Sequence, residues 1–405
     1  MRILHCSDIH PKVNGTYAGK LVLSPDSGYS VAFEDARQSL RGIISWESQN
    51  PCDVAVLTGD LFDTARPVPA EYRLIGDFLL ALLKRMSVVC LVGNHDQDVN
   101  STAASALEPL RSIAEAAGLG QAPHTLTIMS VPDRVLIQTA KGPICVAGLP
   151  YASKGRFQAA ADSANGSGPE VVMAAMNAAL QQVVMGMNGG LHPTAPNIML
   201  AHGTVSGAKV GEQPRAIAHD LMIPLEAMNG YEAVMLGHIH QHQQVDRHAW
   251  YAGSLLAQSF GEKDEVKGWC VWEIERFLDP QVYHVPNPHS RRFIDLPLSE
   301  IAARDSRLNS FDAEAVYRIV GEVEEADYPE ACLAIATFEQ THPFTQSALT
   351  IIRPEDRARD ASLTTLVSEE EAIERVVRDL TPEESIVQNI LGIHRDIRQE
   401  VGHEY

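Results

Sequence analysis

The sequence predicts an α/β protein: a layered β-sandwich flanked by helices, followed by a small α+β domain and a C-terminal pair of helices. Short apolar runs of strand length alternate with segments whose apolar residues recur at helical spacing. This β-α-β alternation is typical of layered α/β domains. Five apolar runs are followed within two residues by glycine, Asp or His, which places polar side chains at the ends of the predicted strands.

The length of 405 residues and the hydrophobic content of 45% predict more than one domain with a sizeable core. Changes in composition indicate four segments. They are a main domain at 1–276, a small domain at 277–348, a linker at 349–362 and a helical region at 363–405.

The net charge of -20 argues against a protein that holds nucleic acid by bulk electrostatics alone. Bound metal ions or a partner would have to offset this repulsion. The six cysteines are scattered and form no C-x-x-C pair, which predicts buried free thiols in a reducing compartment. We see neither a signal-like N-terminus nor a long apolar span, and we expect a cytoplasmic protein without a membrane segment.

The predicted strand at Val54-Ala55-Val56 leads to Gly59 and Asp60, the centre of the predicted site. Glycine lets the backbone turn sharply and lets other groups approach closely. A carboxylate has two oxygens, so Asp60 can bridge two divalent ions about 3.5–4 Å apart.

Other predicted strands deliver further donors. Asp8 and His10 follow the first strand, and alternation predicts that both side chains point the same way. The same reasoning applies to His238 and His240. The complete set of strand-end candidates is Asp8, His10, Asp60, Asn94, His95, His202, His238 and His240.

This mixture of imidazole, carboxylate and amide suits manganese, iron or zinc better than calcium or magnesium alone. Two such ions can activate a water and neutralise charge on a phosphoryl group, which indicates phosphoester hydrolysis. A single histidine is more often structural than a ligand. The placement of these eight residues after five successive predicted strands favours a metal site. We assign the remaining histidines, including His242, no ligand role.

Five motifs in the sequence resemble those of a known protein family. They are Asp8-Ile9-His10, Gly59-Asp60, Gly93-Asn94-His95-Asp96, His202 and Gly237-His238-Ile239-His240. In this order they resemble the signature of the calcineurin-like metallophosphoesterases. The blocks from Gly59 to Thr64 and from Tyr251 to Trp269 are similar to those of SbcD-type nucleases, which act with an SbcC ATPase in processing DNA ends and hairpins.

The resemblance implies a metallophosphoesterase sandwich holding two divalent ions, with Mn²⁺ the expected metal. It implies one ion on Asp8, His10, Asp60 and His240 and a second on Asp60, Asn94, His202 and His238. His95 matches a catalytic histidine that stabilises the transition state or protonates the leaving oxygen. Asp63 stands where some members carry histidine, and we expect it beside the metals rather than bound to them.

The C-terminal region 363–405 is predicted to form two helices, each with an apolar stripe. The stripes include Ile373, Val376, Val377, Leu380, Ile386 and Ile390. These stripes either fold back on the protein's own core or bind a partner. The resemblance favours binding to the coiled-coil root of an SbcC-like ATPase. It also implies a homodimer through the predicted helices at 31–49 and 70–85, and a DNA-orienting role for 277–348.

The sequence thus predicts a metal-dependent DNA exonuclease and endonuclease that forms part of a larger complex. Two alternatives stay open: a phosphodiesterase for small phosphoesters or phosphoproteins, and a non-catalytic scaffold that bridges DNA ends.

Overall fold

The computed structural model describes residues 1–97, 105–164, 168–210, 220–302, 311–352, 377–378, 384 and 386–392. The chain divides into two compact units. The first comprises Met1–Leu296, Asp305–Ile319 and Phe338–Ser347, and the second comprises Pro297–Arg304, Val320–Thr337 and Ala348–Tyr405.

The strands are numbered in chain order. They are β1 (Arg2–Cys6), β2 (Val54–Leu57), β3 (Ser87–Leu91), β4 (Leu126–Met129), β5 (Asp133–Thr139), β6 (Gly142–Leu149), β7 (Asn197–His202), β8 (Ala233–Gly237), β9 (Gln243–Asp246), β10 (Ala249–Tyr251), β11 (Gly268–Glu273), β12 (Gln281–Pro286), β13 (Phe293–Pro297), β14 (Val316–Glu324) and β15 (Thr345–Ile352).

The helices are α1 (Val31–Gln49), α2 (Pro69–Leu83), α3 (Glu108–Ala116), α4 (Gln158–Ser163), α5 (Pro169–Asn188), α6 (Leu298–Ala302) and α7 (Tyr328–Glu339). Helix α1 begins after Ser30, whose Oγ accepts from the backbone N–H of Phe33 at 3.1 Å. This side chain satisfies one of the N–H groups that the first turn leaves without a helical partner.

Two six-stranded sheets form within the described part of the first unit. One has the order β12-β11-β1-β2-β3-β4 and the other β5-β6-β7-β8-β10-β9. The neighbours β1, β2, β3 and β4 are parallel, as are β6, β7, β8 and β10. The carboxyl ends of β1, β2 and β3 therefore lie at one edge of the first sheet, and those of β7 and β8 lie at one edge of the second.

The two sheets face each other across a shared apolar layer. Val56 and Val89 of the first sheet pack in one cluster with Ile198 and Met235 of the second. Helices α1, α2 and α3 cover the outer face of the first sheet, and α5 packs against the second. This arrangement confirms the predicted α/β class and the layered sandwich with flanking helices.

A smaller sheet has the order β13-β14-β15. Within the second unit, the helical residues 386–392 contribute Val387 and Leu391 to a small buried cluster with Val377. Ile386 and Ile390 are exposed on the same segment. Ile373, Val376 and Leu380 of the predicted tail lie outside the described residues.

The described cysteines are all free thiols, and five of the six are buried, the exception being Cys332. Across the ranges described above, we find no helix with both the length and the apolar character needed to cross a membrane.

Candidate metal centre

The structure brings the predicted strand-end residues together at one edge of the sandwich. Among the residues that the structure describes, three groups have donor atoms that all lie within 4.8 Å of one another and could hold a metal ion. They are Asp8, His10 and His240; Asp60, His202 and His238; and His10, Asp63 and His95. Asn94 joins the second group because its Oδ1 lies 3.0 Å from Nε2 of His202 and 2.9 Å from Nδ1 of His238.

The backbone at these positions is unusual. Asp8, His10, Asp60 and His238 have φ values of 52°, 44°, 51° and 98°, in the left-handed region that non-glycine residues rarely adopt. Each such residue costs about 1–3 kcal/mol, and clusters of them are typical of functional sites. Asp8 and His10 lie in one donor group as expected, whereas His238 and His240 lie in different groups, and strand alternation does not direct any of the four side chains. β1 ends at Cys6 and β8 at Gly237, so these side chains are directed by the loops that follow.

Two glycines allow the loops to approach each other. Gly59 has φ 96°, and a Cβ there would overlap the ring of His202. A Cβ on Gly93 would overlap Oδ1 and the backbone nitrogen of Asp60. Both positions therefore exclude larger residues because the site's own side chains occupy the space.

Asp60 lies between two histidines from different groups. Its Oδ2 is 3.4 Å from Nε2 of His202 and 3.6 Å from Nε2 of His10. Donors bound to one ion at about 2 Å lie at most about 4 Å apart. One Asp60 oxygen is thus within range of sharing an ion with each histidine, which is the geometry that a bridging carboxylate requires.

Hydrogen bonds made by Nδ1 orient two of the rings and leave Nε2 as the nitrogen that would bind an ion. His202 donates from Nδ1 to the carbonyl of Thr58 at 2.6 Å. His240 donates from Nδ1 to Oε1 of Glu262 at 3.0 Å. Such partners set the tautomer and orientation of metal-binding histidines.

His238 differs from these two rings because its Nε2, and not its Nδ1, makes the orienting hydrogen bond. Its Nε2 donates to Oδ2 of Asp220 at 2.7 Å, which leaves Nδ1 facing Asn94. The Asp220 carboxylate also accepts from the hydroxyls of Tyr151 at 2.8 Å and Thr204 at 3.2 Å. Asp220 therefore orders one face of the site without belonging to the predicted ligand set.

His10 supplies the test of whether these residues fit metal ions. Both ring nitrogens are buried and have no hydrogen-bond partner among the described residues. A buried polar atom without a partner is costly. Here Nε2 lies 3.6 Å from Asp60 and 3.9 Å from Asp8, too far for hydrogen bonds but appropriate for donors that share an ion. The residues present therefore fit the implied divalent ions.

His95 differs from the other histidines because its side chain lies at the exposed rim of the site. Its Nδ1 donates to the backbone carbonyl of Asp63 at 2.8 Å, so Nε2 is left to face solvent. The Asp63 carboxylate contacts Nζ of Lys12 at 2.9 Å and lies 3.5 Å from Nδ1 of His10.

Electrostatics link Asp60 and His202. Burial alone would lower the pKa of the His202 imidazole, but the nearby Asp60 carboxylate raises it to about 9. Burial alone would raise the pKa of Asp60, and His202 and His10 hold it well below its usual value. The carboxylate is therefore ionised and ready to bind a cation.

Asp96 connects the loop after β2 with the loop after β3. Its fully buried carboxylate accepts from the backbone N–H groups of Leu61, Phe62 and Gly93 at 3.3, 2.9 and 3.0 Å. Burial, followed by the charge of Asp60, raises the pKa of Asp96 to about 7. This side chain ties the loop after β2 to the loop after β3.

The residues that form this centre fall within a match to a known family. The family model described as calcineurin-like phosphoesterase matches residues 1–242, more than half of the chain. The chain belongs to the calcineurin-like phosphoesterase family. The matched region contains the complete set of predicted metal ligands and His95.

Curated relatives of this phosphoesterase include two proteins named as the SbcD component of the nuclease SbcCD. The one from Bacillus subtilis is 27% identical over 277 residues, covering 66% of this chain and 64% of the relative. The one from Staphylococcus epidermidis is 24% identical over 285 residues, covering 68% of this chain and 66% of the relative. The matches thus span just under two thirds of these relatives. A solved dimetal phosphatase from Danio rerio aligns at 10% identity and a TM-score of 0.38, covering 70% of this chain and 98% of that one.

The residues that support the ligands were missed by the sequence analysis. Glu262 lies in the block from Tyr251 to Trp269 that resembles SbcD-type nucleases, but the resemblance was not used to predict a role for it. Asp220 and Tyr151 belong to no motif, so no signal in a single sequence could have found them. The structure assigns His242 a structural place, with Nδ1 bonded to the carbonyl of Tyr251 at 2.9 Å.

Proposed function

We propose that this phosphoesterase is a metal-dependent DNA nuclease that processes DNA ends and hairpins together with an SbcC-like ATPase. The observation that carries the proposal is the position of Asp60 Oδ2, within 3.6 Å of histidines from two donor groups. The sequence similarity to the SbcD component of the nuclease SbcCD supports the choice of DNA as substrate.

In the proposed centre, Asp8, His10, Asp60 and His240 would hold one ion, and Asp60, Asn94, His202 and His238 would hold the other. Ions bound in this way supply Lewis-acid activation of a water and neutralise charge on the phosphoryl group. The donor set of imidazoles, carboxylates and one amide suits manganese, iron or zinc, and the resemblance to SbcD-type nucleases makes Mn²⁺ the expected metal.

The protein's own part in catalysis falls to His95. The carbonyl of Asp63 accepts from Nδ1–H of this ring, so Nε2 faces solvent, where the substrate would lie. A phosphodiester's leaving alkoxide needs a proton or a positive charge, and a positioned histidine supplies either. Asp63 acts through its carbonyl on the orientation of His95 and is not a metal ligand in this scheme.

The partner is proposed to bind the C-terminal region. Ile386 and Ile390 are exposed at 42% and 38% on a helical segment whose other apolar residues, Val387 and Leu391, are buried. Exposed apolar residues at helical spacing suit binding in the groove of another helical protein. We assign this surface to the coiled-coil root of the ATPase and place the complex in the cytoplasm, with 277–348 orienting DNA.

A homodimer is proposed through α1 and α2. A groove of about 210 Å³ lies between them, lined by apolar residues that include Leu40, Ile44 and Phe78, with Arg41 and Asp77 at its rim. A two-fold interface on this groove would place the same apolar residues of the two copies against each other.

A second candidate is a phosphodiesterase that hydrolyses small phosphoesters. The exposed rim position of His95 favours it as much as it favours a nuclease, because a small substrate can also reach the site. A scaffold without catalysis is the least favoured alternative, because the ligand positions and the catalytic histidine are all filled.

The test is cleavage of an end-labelled DNA hairpin by the purified full chain with Mn²⁺, beside a small chromogenic phosphodiester. The proposal predicts cleavage of the hairpin that is abolished by a chelator and restored by Mn²⁺. Hydrolysis of the small ester alone, with or without the ATPase, would contradict the nuclease and support the second candidate.

A further inference from the structure

Lys267 is a buried cation that the proposed mechanism does not use. The residue is 3% exposed, although lysine is almost never fully buried unless it is paired. Its Nζ lies 2.8 Å from Oε2 of Glu262 and 2.6 Å from Oε2 of Glu265. The third contact is with the backbone carbonyl of His240 at 3.0 Å. The three N–H groups of the ammonium thus have three acceptors.

Two of these contacts converge on one metal-binding residue. Glu262 accepts from Nδ1 of the His240 ring at 3.0 Å, and its other oxygen accepts from the backbone N–H of Gln258 at 3.0 Å as well as from Lys267. The carbonyl of His240 accepts from the N–H of Ser254 at 2.9 Å in addition to Lys267. Lys267 therefore holds His240 from both sides, the ring through Glu262 and the main chain directly.

The other metal-binding histidines depend on different partners. His202 is held by the carbonyl of Thr58, and His238 is held by Asp220. Neither Thr58 nor Asp220 contacts Lys267 in the hydrogen bonds and ion pairs of the described residues. A change at Lys267 should consequently act on the ion bound by His240 and spare the ion bound by His202 and His238.

We propose that Lys267 is a positioning residue that sets the affinity of the ion site formed by Asp8, His10 and His240. The proposal rests on the proposed function, because it concerns the same metal centre. Partners that orient metal-binding histidines typically contribute about 10–100-fold to metal affinity. Lys267 exerts this effect at one of two sites, which separates it from a residue that merely stabilises the fold.

The test is calorimetric titration of Mn²⁺ into the full chain after removal of metal with a chelator. The wild type should bind two ions. Lys267→Met should bind one ion about 10–100-fold more weakly and the other with an affinity within about twofold of the wild type. The matched control is Lys263→Met, four residues earlier. Lys263 is solvent-exposed at its ammonium and pairs with Asp295 at 2.5 Å, away from the ligands, and its replacement should leave both affinities unchanged.

Lys267→Met leaves Glu262 and Glu265 without their cation, and that variant can fail to fold. Lys267→Arg is therefore the second variant. It keeps the charge, but a planar guanidinium does not reproduce the three contacts of a compact ammonium. It should fold, as checked by circular dichroism, and weaken the same single ion by about tenfold.

Unchanged binding of both ions in a folded Lys267 variant, or equal weakening of both, would overturn the proposal. Failure of the proposed nuclease function can be distinguished from failure of the Lys267 proposal. A wild-type chain that binds two ions but cleaves no DNA contradicts the proposed substrate. The selective loss of one ion in the Lys267 variants would still support the positioning role in that case.

Discussion

The backbone N–H of His95 donates to Oδ1 of Asp60 at 2.8 Å. This bond ties the loop after β3, which carries the proposed catalytic histidine, to the carboxylate at the centre of the metal site. Because Oδ2 of Asp60 faces His10 and His202, one side chain connects both donor groups to the loop of His95. The position of His95 relative to the ions is thereby set by the main chain.

Gly93→Ala should break this connection. An added Cβ would overlap Oδ1 and the backbone nitrogen of Asp60, and moving that loop costs about 1–3 kcal/mol. We expect a lower free energy of unfolding in urea and at least about tenfold weaker Mn²⁺ binding. The control is Gly186→Ala in α5, where the added Cβ meets open space and should stabilise the helix by about 0.5–1 kcal/mol. Equal metal affinity in the Gly93 variant would show that the overlap is relieved without moving Asp60.

Asp220→Asn should weaken the ion bound by His238. The amide cannot reproduce the charge-assisted bond at 2.7 Å and can present its N–H₂ group to the ring instead. We expect about 10–100-fold lower affinity at one site, measured by titration calorimetry. Tyr151→Phe removes only one donor to Asp220 and should cost less than Asp220→Asn. A larger loss with Tyr151→Phe would contradict the assignment of Asp220 as the partner of His238.

Metal binding should become tighter as pH rises. The pKa of His202 in the metal-free chain is about 9, because the effect of Asp60 outweighs burial. At pH 7 an ion must displace this proton, so affinity should rise by up to about tenfold per unit between pH 6.5 and pH 8. Titrations in buffers of different ionisation enthalpy should report the released proton. An affinity independent of pH over this interval would contradict the assignment of His202 as a ligand.

The metal-free chain should respond to pH in the opposite sense. The folded pKa of His202 is raised above the unfolded value of 6.5, so the stability from its pairing with Asp60 is complete below pH 6.5. That contribution is lost as pH rises through about 9. Thermal unfolding of the chelator-treated chain should therefore show a falling Tm between pH 7 and pH 9, and this fall should shrink in His202→Asn.

Charged residues on the exposed C-terminal positions should prevent binding of the ATPase. Ile386→Asp combined with Ile390→Asp places two carboxylates on the proposed contact surface, while Val387 and Leu391 stay in the buried cluster. We expect loss of the ATPase in a pull-down with the purified partner. Asn389→Asp, on an exposed neighbour, is the control for charge alone. Undiminished capture by the double variant would exclude this surface.

Much of the site could be predicted because its ligands follow short apolar runs that are easily recognised as strands. The apolar run Val54–Leu57 is followed after one residue by Gly59 and Asp60, and parallel strands place their carboxyl ends at one edge of the sheet. Helix α1 was predicted at 31–49 and is found at Val31–Gln49, since Ser30 caps it and its apolar spacing is regular. The orientations of the His10 and His238 side chains were not predicted. They depend on left-handed backbone conformations at non-glycine residues, which a pattern of alternating apolar and polar residues does not reveal.

The supporting groups could not be predicted for a different reason. Glu262 lies 22 residues from His240 in a short 3₁₀ helix, and Asp220 lies 18 residues from His238 in a loop, so neither stands at a regular spacing from its histidine. Their roles depend on contacts made only after the chain has folded. Lys267 is similar, because a single lysine in a sequence is far more often exposed than buried.

The most direct test of the proposed mechanism is cleavage of a labelled DNA hairpin in Mn²⁺ by the wild type and by His95→Ser, with the bound metal of each measured. His95 lies at the rim and donates to the carbonyl of Asp63, so its loss should leave both ions bound. We predict unchanged metal content and a kcat lower by about 10²–10⁴-fold. A His95→Ser chain that retains both ions and cleaves the hairpin at the wild-type rate would contradict the catalytic role of His95.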